Sequence, residues 1–262
     1  MRPRIVDALV FFGTSRFGGG QDLGEFMARS GKNFDTAICA PAMPPDRDLR
    51  RRNAELIAAA NERSDLIPLV RVDPYDEDAI PVANELLASG GRGLFLNPWE
   101  ETFSVTDDGV VGPVMGCAAE EGVPVVVEAG FPWVSETLQV AELARRHPDV
   151  AVVATRGNQM NMSGLGTDAA GRALAQIPNL YYLTASVYRQ DWLDSLIARG
   201  DWDRLLYSSS APIFDHRLEW LRVEKSVATP DQLASIAAGN ADRLFGINAV
   251  ASATSLGHRE NL

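Results

Sequence analysis

Short apolar runs alternate with amphipathic stretches along almost the whole chain. The runs are rich in β-branched and aromatic residues and are bounded by Gly, Pro, Asn or Asp, which predicts strands. They occupy residues 5–12, 35–40, 66–72, 92–97, 124–129, 150–155, 180–186 and 204–210. Apolar residues at three- and four-residue spacing predict helices between them, over residues 46–64, 76–89, 135–148 and 215–226.

Eight apolar strands that alternate with helices predict a parallel sheet covered by helices. The 262 residues suit an α/β fold of this kind, a single-domain (β/α)8 TIM barrel. A doubly wound open sheet is the alternative. We assign residues 1–250 to the barrel, with a closing helix over residues 229–247, and residues 251–262 to a C-terminal tail.

The composition narrows the classes of partner. The formal net charge of −11 repels nucleic-acid phosphates and anionic membranes, so we expect neither as a partner. No apolar run reaches membrane-spanning length, and the N-terminal run indicates a first strand. Cys39 and Cys117 lie far apart in apolar contexts, which indicates buried free thiols in a reducing cytoplasm, with a disulfide as the alternative.

The carboxyl ends of the strands are where a barrel of this type carries its chemistry. Glu128 ends an apolar run, and a buried carboxyl in that position can act as a general acid or base. The alternative is a structural ion pair with Arg156 or Arg71. Arg156 follows the next strand, where it can hold a substrate carboxylate through two hydrogen bonds or belong to a surface loop.

Further polar and aromatic residues follow strand ends and are candidates for ligand contact. They are Asn97, Trp99, Asn158 and Tyr188. His216, after the last strand, is a candidate base beside Asp215, and the alternative makes Asp215 a helix cap. Ser208, Ser209 and Ser210 lack the G-x-S-x-G elbow of a serine nucleophile. Their hydroxyls are expected to line a polar pocket or to bond the backbone.

The chain has too few ligands for a transition-metal site, which needs several His, Cys or carboxylate side chains that converge on one point. Of its three histidines, His147 precedes a strand and lies at the wrong face of the barrel, and His258 lies in the tail. Only His216 can approach the strand tips. We therefore expect no metal and no cofactor; the alternative is a hard cation held by Asp7 and Glu128, which would be a weak site because two carboxylates alone supply too few ligands. The glycine-rich run 17–22 matches neither a dinucleotide fingerprint nor a P-loop.

Six stretches follow one another in a characteristic order and spacing: IVDALVFFG, RVDPYDEDAI, RGLFLNPW, EEGVPVVVEAG, LLYSSSAP and AGNADRLFGI. Together they resemble the amidohydrolase-related (amidohydrolase 2) family, over nearly the whole chain. The resemblance implies a TIM barrel from a group that includes metal-dependent hydrolases and nonoxidative decarboxylases.

The family's metal-binding histidines are absent at the positions that this resemblance aligns. Its opening Asp-x-His-x-His motif becomes Asp7, Leu9 and Phe11, and its later ligand positions hold Asn97, Glu128, Thr155 and Ser210. The resemblance therefore implies a degenerate member without the metal centre. Leu9 and Phe11 make the floor of the expected pocket apolar, with Phe11 in contact with the ligand. Asp7 shares their strand parity, so we expect it to face the interior as well.

Two functions of different classes follow from these observations. The first is a metal-independent, amidohydrolase-like enzyme that performs acid–base chemistry on a small organic molecule. Hydrolysis is the family default, and lyase or cyclase/isomerase chemistry is also compatible. The second is a non-catalytic barrel that binds a ligand or a partner after losing the ancestral chemistry. Under either function, the pocket suits a small molecule with an apolar or aromatic part. The protein could also form a homo-oligomer.

Overall fold

The computed structural model describes residues 2–18, 20–22, 25–26, 33–158, 164–187 and 189–247. Tyr188 and the predicted tail, residues 251–262, lie outside these ranges. Among the helices of the described chain, none is long and apolar enough to cross a membrane.

The strands are parallel, apart from one short hairpin at the end of the first strand. In chain order they are β1 (Val6–Thr14), β2 (Gly20–Gln21), β3 (Thr36–Pro41), β4 (Leu66–Pro68), β5 (Val70–Arg71), β6 (Leu94–Leu96), β7 (Val125–Val127), β8 (Val152–Ala154), β9 (Leu180–Leu183) and β10 (Leu205–Leu206). Strand β2 pairs antiparallel with β1, and the remaining neighbours pair in parallel.

Two hydrogen-bonded seams join these segments into a closed barrel of eight strands. Segments β4 and β5 form one strand, in which the Leu69 amide bonds Cys39 and the Val70 amide bonds Gly93. The last strand continues past β10 and returns to β1, because the Ala8 amide donates to the Tyr207 carbonyl at 2.9 Å. The Phe11 amide likewise donates to Ala211 at 2.8 Å. The predicted TIM barrel is confirmed, and the open-sheet alternative is wrong.

The helices follow the strands as the amphipathic pattern predicts. They are α1 (Leu49–Asn61), α2 (Ala79–Ala88), α3 (Asp108–Glu121), α4 (Thr137–Arg146), α5 (Gly164–Gln176), α6 (Gln190–Ala198), α7 (His216–Ser226), α8 (Pro230–Ala234) and α9 (Asn240–Phe245). Aspartate side chains cap several of them: Asp48 accepts from the Arg51 amide, and Asp215 from the Arg217 amide.

The core has two layers that the strand alternation separates. Val126 of β7 packs inside the barrel with Phe95 and Ile38, while its neighbours Val125 and Val127 pack outward against the helices. Phe245 of α9 joins the interior cluster and lies against Gly93, at the start of β6. The last helices therefore close the amino-terminal end of the barrel, and the carboxyl ends of the strands stay open for a site.

A bulge in β1 changes which way Asp7 points. The register between β1 and β3 shifts between Asp7 and Val10, so Ala8 and Leu9 both join the interior cluster. Asp7 alternates with Val6 and Ala8 and therefore faces the outer layer, where the Ser209 amide and hydroxyl donate to its carboxylate at 2.8 and 2.5 Å. The prediction that Asp7 faces the interior was wrong, because strand parity does not survive a bulge.

Candidate active site

A cavity of about 320 Å³ opens at the carboxyl ends of the strands. Among the predicted site residues, Phe11, Asn97, Trp99, Glu128 and Arg156 line it together. The rest of its described wall consists of Ser15, Phe17, Gly18, Ala42, Arg71, Glu100, Phe131, Pro212 and Ile213. Its size is at the lower end of the range of small-molecule sites.

Glu128 and Arg156 form a nearly buried ion pair on one wall. Arg156 donates from Nε and Nη2 to the same oxygen, Glu128 Oε1, at 2.9 and 2.6 Å, and its Nη1 lies 3.3 Å from Ser186 Oγ. The side chains are 4% and 13% exposed. Glu128 lines the cavity, and no described residue donates a hydrogen bond to its second carboxylate oxygen, Oε2.

The turn after β8 holds Arg156 in position. Arg156, Gly157 and Asn158 all have positive φ, at 54°, 57° and 59°. Gly157 is needed here because a Cβ would lie 2.4 Å from Cη2 of Trp192. Asn158 is fully buried and donates from Nδ2 to the Thr137 carbonyl and to the Tyr182 hydroxyl, at 3.0 and 3.3 Å. It thus lies behind the cavity wall, where it fixes the turn that presents Arg156.

A second group of charges, which the sequence did not single out as a site, lines another part of the wall. Arg71 donates to Glu101 Oε1 from Nε at 2.7 Å, to Glu100 Oε2 from Nη2 at 2.5 Å, and to the Pro41 carbonyl from Nη1 at 3.1 Å. The side chains of Arg71 and Glu101 are 1% and 0% exposed. Burial raises the pKa of Glu101 to about 7, although Arg71 opposes the rise. The only sequence signal was the position of Glu100 and Glu101 shortly after a strand end.

Aromatic rings complete the mouth of the cavity. Trp99, half exposed, stacks on Phe131 with ring centroids 5.2 Å apart. The Arg156 guanidinium lies over Phe131 and over Phe214, at 5.4 and 5.9 Å from their centroids. Phe11 meets Phe95 edge to face at 5.8 Å, at the floor. A planar ligand can therefore find both apolar floor and aromatic wall.

The serine cluster braces the barrel seam and lies outside the cavity lining. Ser208 Oγ lies 3.4 Å from the Leu9 carbonyl, and the Ser210 amide donates to that carbonyl at 3.0 Å. Ser209 holds Asp7, as described above. Both Ser208 and Ser210 are buried, and Ser210 has φ 51°. These residues were expected to line a pocket or to bond the backbone, and the structure places Ser208 in the second arrangement.

His216 is the first residue of α7 and belongs to a neighbouring cavity of about 570 Å³. The two cavities share Pro212 and Ile213 as wall, so His216 does not meet Glu128 in one site. Burial lowers the pKa of His216, and Asp215 opposes that change. Asp215 caps the helix, as the alternative interpretation of this pair expected.

The comparisons with known proteins identify the family. The family model described as amidohydrolase (Amidohydro_2) matches residues 39–247, and the chain belongs to this family. No curated protein matches the chain.

Solved structures share the fold at low sequence identity. An uncharacterised TIM-barrel protein from Bordetella bronchiseptica has a TM-score of 0.72 at 18% identity, over 93% of this chain and 99% of that one. A 5-carboxyvanillate decarboxylase from Sphingomonas paucimobilis has 0.72 at 14%, over 93% and 99%. A dihydroxybenzoic acid decarboxylase from Polaromonas sp., with bound manganese and the inhibitor 2-nitroresorcinol, has 0.73 at 13%, over 94% and 98%. At these identities the likeness shows the TIM-barrel fold.

The positions at which the family resemblance places metal ligands offer few free donor atoms in the part of the chain that the structure describes. Leu9 and Phe11 have no donor atom, Glu128 is held by Arg156, and Thr155 Oγ accepts from the Ala129 amide at 2.9 Å. Asp7 faces away from the cavity. Across the part of the chain that the structure describes, no three His, Cys, Asp or Glu side chains are grouped so that they could hold a metal ion.

Proposed function

We propose that this protein is a metal-independent enzyme of the amidohydrolase family that uses Glu128 to transfer a proton to or from a small organic molecule. The observation that supports this proposal is the asymmetric ion pair: Arg156 donates to Oε1 of Glu128, which lines the cavity, and no described residue donates to Oε2. A general acid or base needs hydrogen-bond reach to the substrate, and Oε2 can provide it.

The walls of the cavity support a substrate with an apolar or aromatic part. Phe11 and Ala42 are apolar, and the stacked Trp99–Phe131 pair provides a flat aromatic surface. The two decarboxylases named above act on substituted aromatic acids, which is in keeping with a planar substrate. Proton transfer suits this site better than water activation, because the described residues include no group of three or more ligand side chains that could hold a metal to lower the pKa of water.

Arg156 has a positioning role in this mechanism. Two hydrogen bonds to one oxygen fix the orientation of the Glu128 carboxylate, and the stack with Phe131 fixes the guanidinium in turn. The carboxyl is therefore pre-organised before the substrate arrives, which is how a side chain gains catalytic effect from geometry. Asn97 lies on the same wall and can orient a polar group of the substrate.

The test starts from protein treated with a chelator and freed of metal, incubated with a panel of aromatic esters, amides, lactones and carboxylic acids. Product formation is followed by mass spectrometry. Turnover should persist without metal, and Glu128→Gln should lower kcat by about 10²–10⁴-fold. Glu224→Gln, an exposed carboxyl on α7, is the matched control and should leave turnover unchanged. Activity that is lost on chelation and regained with Mn²⁺ or Zn²⁺ would overturn metal independence.

The second candidate is a barrel that binds a ligand without transforming it. Its support is the small exposure of the Glu128 side chain, 4%, beneath the Arg156 guanidinium. This candidate would be favoured over the enzyme if a panel compound binds saturably and neither the wild type nor Glu128→Gln converts it to a product.

A further inference from the structure

We infer that the cavity recognises a planar ligand that carries a cationic N–H group, such as an amidinium or a protonated aromatic amine, and disfavours carboxylates. The inference deepens the proposed function, since it names the substrate class of the same cavity. It rests on how the charges of the cavity wall are already used, on which acceptor atoms remain, and on the aromatic surface beside them.

The positive charge of each arginine of the wall is already paired with a carboxylate. Each guanidinium nitrogen of Arg71 donates to Glu100, Glu101 or the Pro41 carbonyl. Each nitrogen of Arg156 donates to Glu128 or Ser186. A ligand carboxylate would either approach the remaining Nη hydrogens against the repulsion of a protein carboxylate, or displace that carboxylate and leave it buried without its partner, which is strongly unfavourable.

The atoms that remain are acceptors. Arg156 uses one oxygen of Glu128, and Arg71 uses Oε2 of Glu100, so no described residue donates to Glu128 Oε2 or to Glu100 Oε1. Both glutamates line the cavity. Glu101 lies behind the wall and is paired with Arg71. A ligand that donates N–H bonds therefore meets acceptor oxygens of Glu128 and Glu100, and one that carries positive charge is also attracted to these two glutamates.

The aromatic wall favours the same class of ligand. Trp99 is 51% exposed and lies against Phe131, so one indole surface remains open at the cavity mouth. An organic cation gains attraction from the face of an aromatic ring, most of all from Trp, and a carboxylate is repelled by it. Phe11 at the floor accommodates the apolar part of the ligand.

Three probes of nearly the same size and shape separate charge from fit: benzamidine, benzamide and benzoate. Isothermal titration calorimetry on the full chain should give the order benzamidine, benzamide, benzoate from tightest to weakest, with about tenfold or more between the first and the last. Glu128→Gln should weaken benzamidine by about tenfold and strengthen benzoate, because it removes a negative charge and leaves Arg156 without its anionic partner. Glu224→Gln is the control and should keep the wild-type order.

Glu100→Gln provides a second variant in case Glu128→Gln does not fold, and it should reduce the preference for benzamidine in the same direction. Wild-type protein that binds benzoate as tightly as benzamidine, or binds benzamidine without saturation, overturns the inference. The same holds if neither variant changes the ratio of the two affinities. These results are distinct from failure of the proposed function, because the order of binding is read without turnover. If no catalysis is found, the predicted order of binding can still be observed. If the protein prefers benzoate, a reaction that depends on Glu128 can still be observed.

Discussion

Asp7 is a buried carboxyl group whose ionisation should make the folded protein less stable as the pH rises. Burial raises the pKa of Asp7 from 3.8 to about 7, and the nearby Glu219 adds to the rise, while hydrogen bonds from Ser209 oppose it. Between these two values the folded protein keeps a proton on Asp7 that the unfolded chain has released. The contribution of Asp7 to stability is therefore fully present below the lower value, and is lost as the pH rises through about 7.

The size of the effect follows from the two pKa values. Each unit of difference corresponds to 1.36 kcal/mol, so the interval between 3.8 and about 7 amounts to roughly 4 kcal/mol. The free energy of unfolding of an ordinary domain is on the order of 10 kcal/mol, so this difference is a large part of it. The wild-type protein should therefore be measurably easier to unfold on the alkaline side of neutrality.

Asp7→Asn removes the titration and keeps the shape of the side chain. Its amide can still accept the hydrogen bond of the Ser209 amide and can donate to the Ser209 hydroxyl. At about pH 5 Asp7 is neutral in the folded wild type but already ionised in its unfolded chain, so the variant should gain roughly 1.6 kcal/mol over the wild type from this difference. The altered hydrogen bond changes this figure by about 1 kcal/mol. At about pH 9 the variant should be the more stable by several kcal/mol, because wild-type Asp7 is then ionised in an apolar site.

The assay is urea denaturation of both proteins across this pH range, read as the difference in free energy of unfolding. Other buried carboxyls, such as Glu101 and Glu219, titrate in both proteins and largely cancel in the difference. Ser209→Ala removes a hydrogen bond that favours the ionised form, so it should deepen the alkaline loss of stability. A difference between wild type and Asp7→Asn that does not change with pH would refute the reasoning.

Three further outcomes are expected. Gly157→Ala should lower the free energy of unfolding by about 1–3 kcal/mol, because residue 157 has a positive φ and the new Cβ would clash with Trp192. Gly116→Ala in α3 has open space around it and should raise the free energy of unfolding by about 0.5–1 kcal/mol. Equal effects of the two substitutions in urea denaturation would contradict this account. Arg156→Ala should destabilise the protein by about 3–5 kcal/mol, because it leaves the Glu128 carboxylate buried without a partner. Adding Glu128→Gln should recover part of that loss in a double-mutant cycle. Strictly additive effects of the two substitutions would argue against the ion pair. Prolonged dialysis against a chelator should leave Tm and elemental composition unchanged, and a stoichiometric transition metal in the starting protein would contradict the metal-independent site.

The repeating order of the barrel was readable from the sequence because it depends on local patterns. Apolar runs such as residues 124–129 alternate with amphipathic stretches, and each run is short and bounded by turn residues. The same pattern placed Glu128 and Arg156 at consecutive strand ends, where a parallel barrel brings side chains to one rim. Their common position on the cavity wall follows from that rule.

The tertiary structure decided everything that depends on register and on contacts between distant segments. A bulge between Asp7 and Val10 reverses the face on which Asp7 lies, and no residue type in β1 marks it. Arg71 meets Glu100 and Glu101 across about thirty residues, because β5 and β6 are neighbours in the closed sheet. Whether the Glu128 carboxyl forms an ion pair was likewise undetermined by sequence, and the structure pairs it with Arg156.

Contacts between distant segments also explain why the structure separates some residues that the sequence predicted to lie in one site. Asn158 follows a strand end as Arg156 does, yet three consecutive positive-φ residues turn it behind the wall. Ser208 and Ser210 continue the last strand and are used to close the barrel against β1. Sequence determines which residues arrive at the rim, since strand periodicity is local. Backbone hydrogen bonding between strands determines which of them face the cavity, since it depends on partners far away along the chain.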